Sequence, residues 1–471
     1  MSNVTQGKVL AGAALLCLIA LFLWWPGVAL YDSVAQYGQV LSGRYDDWHP
    51  PVMARLWAIF AQGWRGTGPM FLLQMLLYWG GIGLIAAGLA QRGAPKAAIA
   101  LLAIGACPLF LAWQAAVLKD SQMLGALLAA TGIVGWHRLS GRRLGRGAVA
   151  GAAMLLIYAT LVRANAAFAS VPLAFALAGW PGPRALPIRA ALVLAATAAA
   201  ILVGGTIGRI GAERSGVARV QPLYDLVGID HYGGGVAIPG VTRDELAQIR
   251  EGRCYTPFYW DPLGDEGRCG WLAQRLLPAA SGDSLYASWL VAVAAHPIAY
   301  ARHRLGHLNM TERLWTPRGL PSAAPPSSSE PNDMGLASPA ARATPVTIAA
   351  AWLAETPPGW PAVWLVAGLG LMWTAAGTAA SPARSLAMAL GVSALALEAS
   401  FAEVSIASDL RYHLWPMIAV AIAWTLLASA GPLPRGRATL TVVAILAVAA
   451  IAIVARMTLP PVVGGYRAML G

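Results

Sequence analysis

Side chains able to do acid–base or phosphate chemistry are scarce in this chain, and they are clustered. The densest run is Tyr31 to Pro51, YDSVAQYGQVLSGRYDDWHPP, which holds Asp32, Gln36, Asp47 and His49 directly after the first apolar stretch. A carboxylate so close to a hydrophobic segment is costly unless it faces water or a partner, which makes Asp32 a functional candidate. Three more polar runs interrupt apolar sequence: Lys119 and Asp120 in AVLKDSQ, Arg163 and Asn165 in LVRANAAF, and Glu398, Glu403, Asp409, Arg411, Tyr412 and His413 in LEASFAEVSIASDLRYHLWP. Each alone has an ordinary explanation: Lys119 or Arg411 snorkelling, Asp120 or Asp409 capping a helix, Tyr412 anchoring at the lipid boundary. Four helix ends carrying such groups together point to a water-filled cleft. An ionised carboxylate there can take a proton from a hydroxyl, while Lys and Arg can hold the oxygens of a phosphate.

The elements that must position these groups are membrane helices. Of 471 residues, 58% are hydrophobic and 11% charged, which is wrong for soluble domains. Apolar runs of spanning length recur at 9–29, 69–90, 96–114, 120–137, 147–162, 164–180, 188–208, 360–379, 384–401, 411–430 and 438–456. The sequence therefore predicts an all-α polytopic membrane protein of about eleven spans. The net charge of +12 is explained by topology, so no nucleic-acid partner is expected. Lys8, Arg92, Lys96, Arg138, Arg142, Arg143, Arg384, Arg435 and Arg437 all fall in segments that a cytoplasmic N-terminus places inside, and the acids fall at the other face. Two short spans meeting at Arg163 keep this segregation intact, whereas one long helix there would invert everything after it.

Three regions follow. Residues 1–208 form an N-terminal membrane module of seven helices with a first outer loop at 30–68. Residues 209–359 form an outer-face domain of helix and turn, with an amphipathic helix near 284–308 on the membrane surface and a flexible loop or lid at 317–345, rich in Pro, Ser and Ala. Residues 360–471 form a C-terminal module of four helices. Cys254 and Cys269 lie in the outer domain and can close a disulfide loop in an oxidising compartment. Cys17 and Cys107 lie in apolar spans as packing residues. Asp32, Asp47 and His49 are the candidates for a divalent cation, Mg²⁺ or Mn²⁺. Walker A, Rossmann and His-Glu-x-x-His motifs are absent from the sequence.

This layout resembles the GT-C superfamily of integral-membrane glycosyltransferases. The resemblance rests on DSVAQYGQVLSGRYDDWHPP after the first helix, KD opening the fourth, RAN between two short helices, and DLRYHLWP entering a late helix. The last piece is similar to the Arg-Tyr-x-x-Pro type of element in the mannosyl and aminoarabinose transferases. The resemblance implies a polyprenyl-phosphate sugar donor and a lipid or glycan acceptor at the outer face of a bacterial inner membrane. It gives Asp32 the place of the catalytic first-loop acid and Arg411 with Tyr412 that of the late Arg-Tyr element. Lys119 and Arg163 would hold phosphate, and Gln36, Asp47, His49, Asp120, Asn165 and Asp409 would line the substrates. Asp32 is followed by Ser33, where the protein mannosyltransferases have Glu, which argues against a protein acceptor. A lipid-linked glycan ligase or polymerase and a lipid flippase or transporter are the competing readings.

Overall fold

The computed structural model describes residues 2–179, 185–233, 235–278 and 284–462. It is all-helical: no strand forms among the described residues, only three isolated bridges. The N-terminal module contains helices α1 (Ser2–Trp24), α2 (Tyr31–Ser42), α3 (Val52–Ala61), α4 (Gly68–Gln91), α5 (Pro95–Gly105), α6 (Pro108–Gln114), α7 (Lys119–Leu139), α8 (Arg146–Val162), α9 (Ala167–Leu177) and α10 (Leu186–Arg209). The outer segment contributes α11 (Val220–Gly233), α12 (Arg243–Glu251), α13 (Gly270–Leu276), α14 (Ser284–Ala295), α15 (Pro297–Glu312) and α16 (Thr344–Ala354). The chain closes with α17 (Pro361–Ala376), α18 (Pro382–Val404), α19 (Leu414–Ser429) and α20 (Arg435–Thr458).

Six helices among the described residues are long and apolar enough to cross a membrane, or seven if the bent pair α5 and α6 is one span. This is the architecture of a multi-pass membrane protein. The other apolar stretches are helical but shorter, such as α8, α9 and α17, while α7 reaches 21 residues with Lys119, Asp120, His137 and Arg138 at its ends. Lipid is the natural partner of the outermost helices: α10 exposes Leu192, Leu194, Leu202 and Val203, and α20 exposes Leu446 and Val454.

The centre of the bundle is the pair α4 and α7, which run parallel at backbone distance. A Cβ on Gly81 would lie 2.4 Å from the Leu128 backbone, and one on Gly132 would lie 2.6 Å from the Gly81 carbonyl oxygen. Small residues permit this approach where lipid supplies no hydrophobic drive for association. Along α7, about 30 Å separate the Lys119 end from the Arg138 end. At the far end Arg138 bonds the Leu177 carbonyl, Arg384 Nε donates to Ala375 O at 2.7 Å, and Arg437 Nη1 donates to Trp373 O at 2.8 Å. Basic residues thus gather at one end of the bundle, and the mixed polar groups at the other.

The outer segment does not pack as one unit. Val220, Leu223, Leu226, Ile249, Leu263, Leu272 and Ala299 build a core of their own, whereas Ala323, Leu336, Ala350 and Ala354 join the core of the membrane bundle. The boundary expected at 359 is therefore not a packing boundary, because the apolar face of α16 lies against α6. The surface helix expected at 284–308 is instead two helices broken at His296–Pro297. Pro297 lacks the N–H that would continue the first helix, and α15 turns His303, Arg304 and His307 into the interior. The stretch 317–345 is irregular but tied down: Ser329 Oγ accepts from Ala29 N at 2.9 Å, Glu330 N donates to Ala29 O at 2.8 Å, and Leu410 N donates to Ser322 O at 3.0 Å. Cys254 and Cys269 are bridged, with Cα atoms 5.9 Å apart.

Candidate functional site

Asp32 sits in the first turn of α2, where the helix N-terminus favours a carboxylate. Two features fix that turn. Val28 and the stretch 115–117 exchange backbone hydrogen bonds of 3.0 and 2.8 Å, and Ser33 Oγ accepts from Leu30 N while donating to Val117 O at 2.6 Å. The 114–118 turn is in turn held by amides buried in the bundle. Gln74 Nε2 donates to the carbonyls of Gln114 and Ala116, Gln114 Nε2 donates to Ser121 O at 3.0 Å, and Gln122 Nε2 donates to Gln74 Oε1 at 3.1 Å. The consequence is that Asp32, on α2, faces Lys119, the first residue of α7.

Three basic side chains converge on Asp32 from three other segments. Arg411 Nη1 stands 3.2 Å from Oδ2, Lys119 Nζ 3.5 Å from Oδ2, and His49 Nε2 3.8 Å from Oδ1. Lys119 Nζ and His49 Nδ1 are 2.6 Å apart. Burial pushes the Asp32 carboxyl up, but Arg411, Lys119 and His49 outweigh it and hold the group well below the usual carboxylate range. For His49, burial and Lys119 together bring the imidazole down to about 3, against a smaller opposing pull from Asp32. The ring is thus neutral near pH 7: Nδ1 accepts from the Lys119 ammonium, and the proton sits on Nε2 facing Asp32.

A second layer completes the cluster. Arg163 is ion-paired with Asp120 and donates through Nε to Asn165 Oδ1 at 2.6 Å, and its guanidinium lies 4.3 Å from the centre of the Tyr412 ring. Arg411 Nε donates to Asp409 Oδ2 at 3.1 Å, so Asp409 aims the arginine and does not itself reach Asp32. Gln36, one helical turn after Asp32, is 1% exposed and neither its amide nitrogen nor its oxygen has a partner.

Asp47 does not join the others. Its Oδ1 accepts from Ser215 N at 2.6 Å and Ser215 Oγ at 2.7 Å, and Oδ2 is 3.6 Å from Arg209 Nε. With the bridge between Asp46 and Glu213, it fastens the first outer loop to the segment after α10. Asp32, Asp47 and His49 therefore do not fit a divalent cation: Asp47 is committed elsewhere, and Asp32 already has Lys119 and Arg411 beside it. Where the sequence suggests an open cleft, Asp32, His49 and Arg163 are buried. Asp32 is 8% exposed, and cavities of 290 Å³ near Arg318, Trp352 and Arg456 and of 470 Å³ near Arg138 and Ser385 both lie away from it. The polar groups there pair with one another.

The supporting residues Ser33, Gln74, Gln114 and Gln122 escaped the sequence reading. The signal was present, since a glutamine inside an apolar span needs a partner, but three glutamines do not announce which backbone they hold. No family model, curated protein or solved structure matches this chain. Fold and cluster define its class directly: an all-helical multi-pass membrane protein with a buried ionic cluster at one end of the bundle.

Proposed function

We propose that this chain is a GT-C-like membrane glycosyltransferase of about eleven spans, moving a sugar from a polyprenyl-phosphate donor to a lipid or glycan acceptor at the outer face of the bacterial inner membrane. The observation carrying this reading is the contact of one carboxylate, Asp32, with both Lys119 and Arg411. A phosphate and an acceptor hydroxyl need those two kinds of group within one ligand's reach. In the reaction, the acceptor oxygen forms a bond to the anomeric carbon as the bond from that carbon to the phosphate oxygen breaks. Asp32 takes the acceptor's proton, and polyprenyl phosphate leaves held by Lys119 and Arg411.

Donor binding also bears on the basicity of Asp32. Held by two cations, the free carboxylate is a weak base; when Lys119 and Arg411 turn to the phosphate, that electrostatic pull is shared and the carboxyl becomes a better proton acceptor. His49, neutral and hydrogen-bonded to Lys119, keeps the ammonium directed into the site. Arg163 and Asp120 supply the wall behind it, with Asn165 and Tyr412 fixing the Arg163 guanidinium. A flippase or transporter would favour paired broken helices near the bilayer centre, and the described residues contain one bent pair, α5 with α6.

The test is reconstitution in nanodiscs with labelled polyprenyl-phosphate sugars and envelope lipids or glycans. Release of polyprenyl phosphate that depends on acceptor and on Asp32 supports the transferase. Donor movement between leaflets without cleavage would replace it with the flippase, and consumption of oligosaccharide-lipids alone with the ligase.

A further inference from the structure

A second buried group of ionisable side chains lies where the outer segment meets the membrane bundle. Glu312 ends α15, Glu398 lies on α18, and His413 closes the short turn Leu410–His413 that leads into α19. One ligand atom from each lies within 4.8 Å of the other two. Their exposures are 5%, 3% and 0%. His413 Nδ1 is 2.6 Å from Glu398 Oε1. With both acids ionised, the oxygens of Glu312, Oε2 of Glu398 and Nε2 of His413 have no donor or acceptor partner among the described residues, and the two carboxyl groups lie close enough to hydrogen-bond to each other if one is protonated. Arg313, the nearest guanidinium in sequence, is spent on backbone: its Nη2 donates to Pro321 O at 2.9 Å and Ser408 O at 3.2 Å.

Two carboxylates sharing a dry site repel one another, and each orphaned oxygen carries its full desolvation cost. Either they share a proton or they hold a cation. A shared proton engages one oxygen of each carboxyl group and leaves the remaining oxygen of Glu312 and the imidazole Nε2 unused. A divalent ion neutralises both carboxylates and accepts all three ligands at once. Two carboxylate oxygens and one imidazole nitrogen, without a thiolate, suit Zn²⁺ or Mn²⁺ better than the all-oxygen preferences of Ca²⁺ and Mg²⁺.

We propose that Glu312, Glu398 and His413 form a site for a divalent transition-metal ion, Zn²⁺ or Mn²⁺, which clamps the end of α15 to the turn that carries Arg411. The ion sits outside the Asp32 cluster and touches no reacting atom. Its role is positional: His413 is two residues from Arg411, so the metal fixes the turn whose guanidinium reaches Asp32. Nothing in this depends on the transferase reading.

The test uses the full chain in nanodiscs, stripped with EDTA, incubated with Zn²⁺ or Mn²⁺, desalted and measured by elemental mass spectrometry. About one equivalent of metal should remain on the wild type and on Asp32→Asn, with at least a tenfold loss of affinity in Glu312→Gln and His413→Ala. Because those two variants can misfold, X-ray absorption on the loaded wild type provides the independent check and should show one imidazole among oxygen ligands. Wild-type protein that retains no ion overturns the site in favour of a shared proton. A sulfur ligand, or equal retention by folded Glu312→Gln, overturns it as well.

Discussion

Two buried polar assemblies in this protein use nearly the same residues to opposite effect. In the outer segment, Asp225 Oδ1 meets His303 Nε2 at 2.9 Å and Arg304 Nη2 at 2.6 Å, while Oδ2 accepts from Trp289 Nε1 at 2.9 Å. His303 Nδ1 is in turn 2.9 Å from the Tyr255 hydroxyl. Both carboxylate oxygens and both ring nitrogens are occupied, and Asp225 and His303 are fully buried. The Asp32 cluster also joins a carboxylate, a histidine and an arginine, yet the basic groups stand 3.2 to 3.8 Å from the Asp32 oxygens, and Gln36 beside it is unpaired. In the Asp225 assembly the carboxylate and the imidazole are fully engaged and only the Arg304 Nε is left over, as befits a core fastening, whereas the looser Asp32 cluster keeps binding capacity for something else. The difference between structure and site is thus one of satisfaction, not of composition.

That contrast breaks most visibly at Asp225. Asp225→Ala leaves Arg304 buried without its carboxylate, which should cost about 3–5 kcal/mol and show as lost folded protein in thermal or denaturant unfolding. A folded, stable Asp225→Ala variant would mean that this assembly is not the fastening of the outer core.

The matching change in the site should act on turnover. Asp32→Asn keeps the size of the side chain and removes the proton acceptor, so activity per folded molecule should fall at least about 10²-fold with donor binding largely retained. Transfer assays beside donor-binding measurements decide it; near-normal turnover would remove Asp32 from the chemistry.

Arg411→Ala should sharpen the division of roles by weakening donor binding about tenfold or more, because the phosphate loses a charge-assisted hydrogen bond. The same binding assay reads it. An Arg411→Ala variant with full donor affinity and reduced turnover would assign the arginine to orienting Asp32 alone.

The most gradual effect is on pH dependence. Burial is the main reason His49 and His307 are lowered to about 3 from an unfolded value near 6.5, so the unfolded chain binds more protons between those limits. The histidine contribution should be flat from pH 6.5 to 7.5 and decline as pH falls towards 3, with a slope of at most about 1.4 kcal/mol per pH unit for each histidine. Unfolding midpoints from pH 7.5 to 4.5 test this, and no decline would show that both rings already carry charge when folded.

The amino-acid sequence by itself determined the helical, membrane-crossing class of the chain, because apolar runs and the separation of basic from acidic residues are one-dimensional properties. It also located Asp32, Lys119, Arg163 and Arg411, since charged residues beside apolar helices stand out against their neighbours. Only the tertiary structure decided which of them meet. Asp47 looked equivalent to Asp32 from its neighbours alone, yet the geometry of 213–215 draws it away to Ser215. Glu312 has nothing in its sequence neighbourhood to mark it, and only the path of α15 brings it to Glu398 and His413. The Gln74, Gln114 and Gln122 scaffold was invisible because an amide's partner is a backbone atom in another helix. Hydropathy is carried by each residue, but hydrogen-bond satisfaction belongs to pairs, and pairs exist only once the helices have packed.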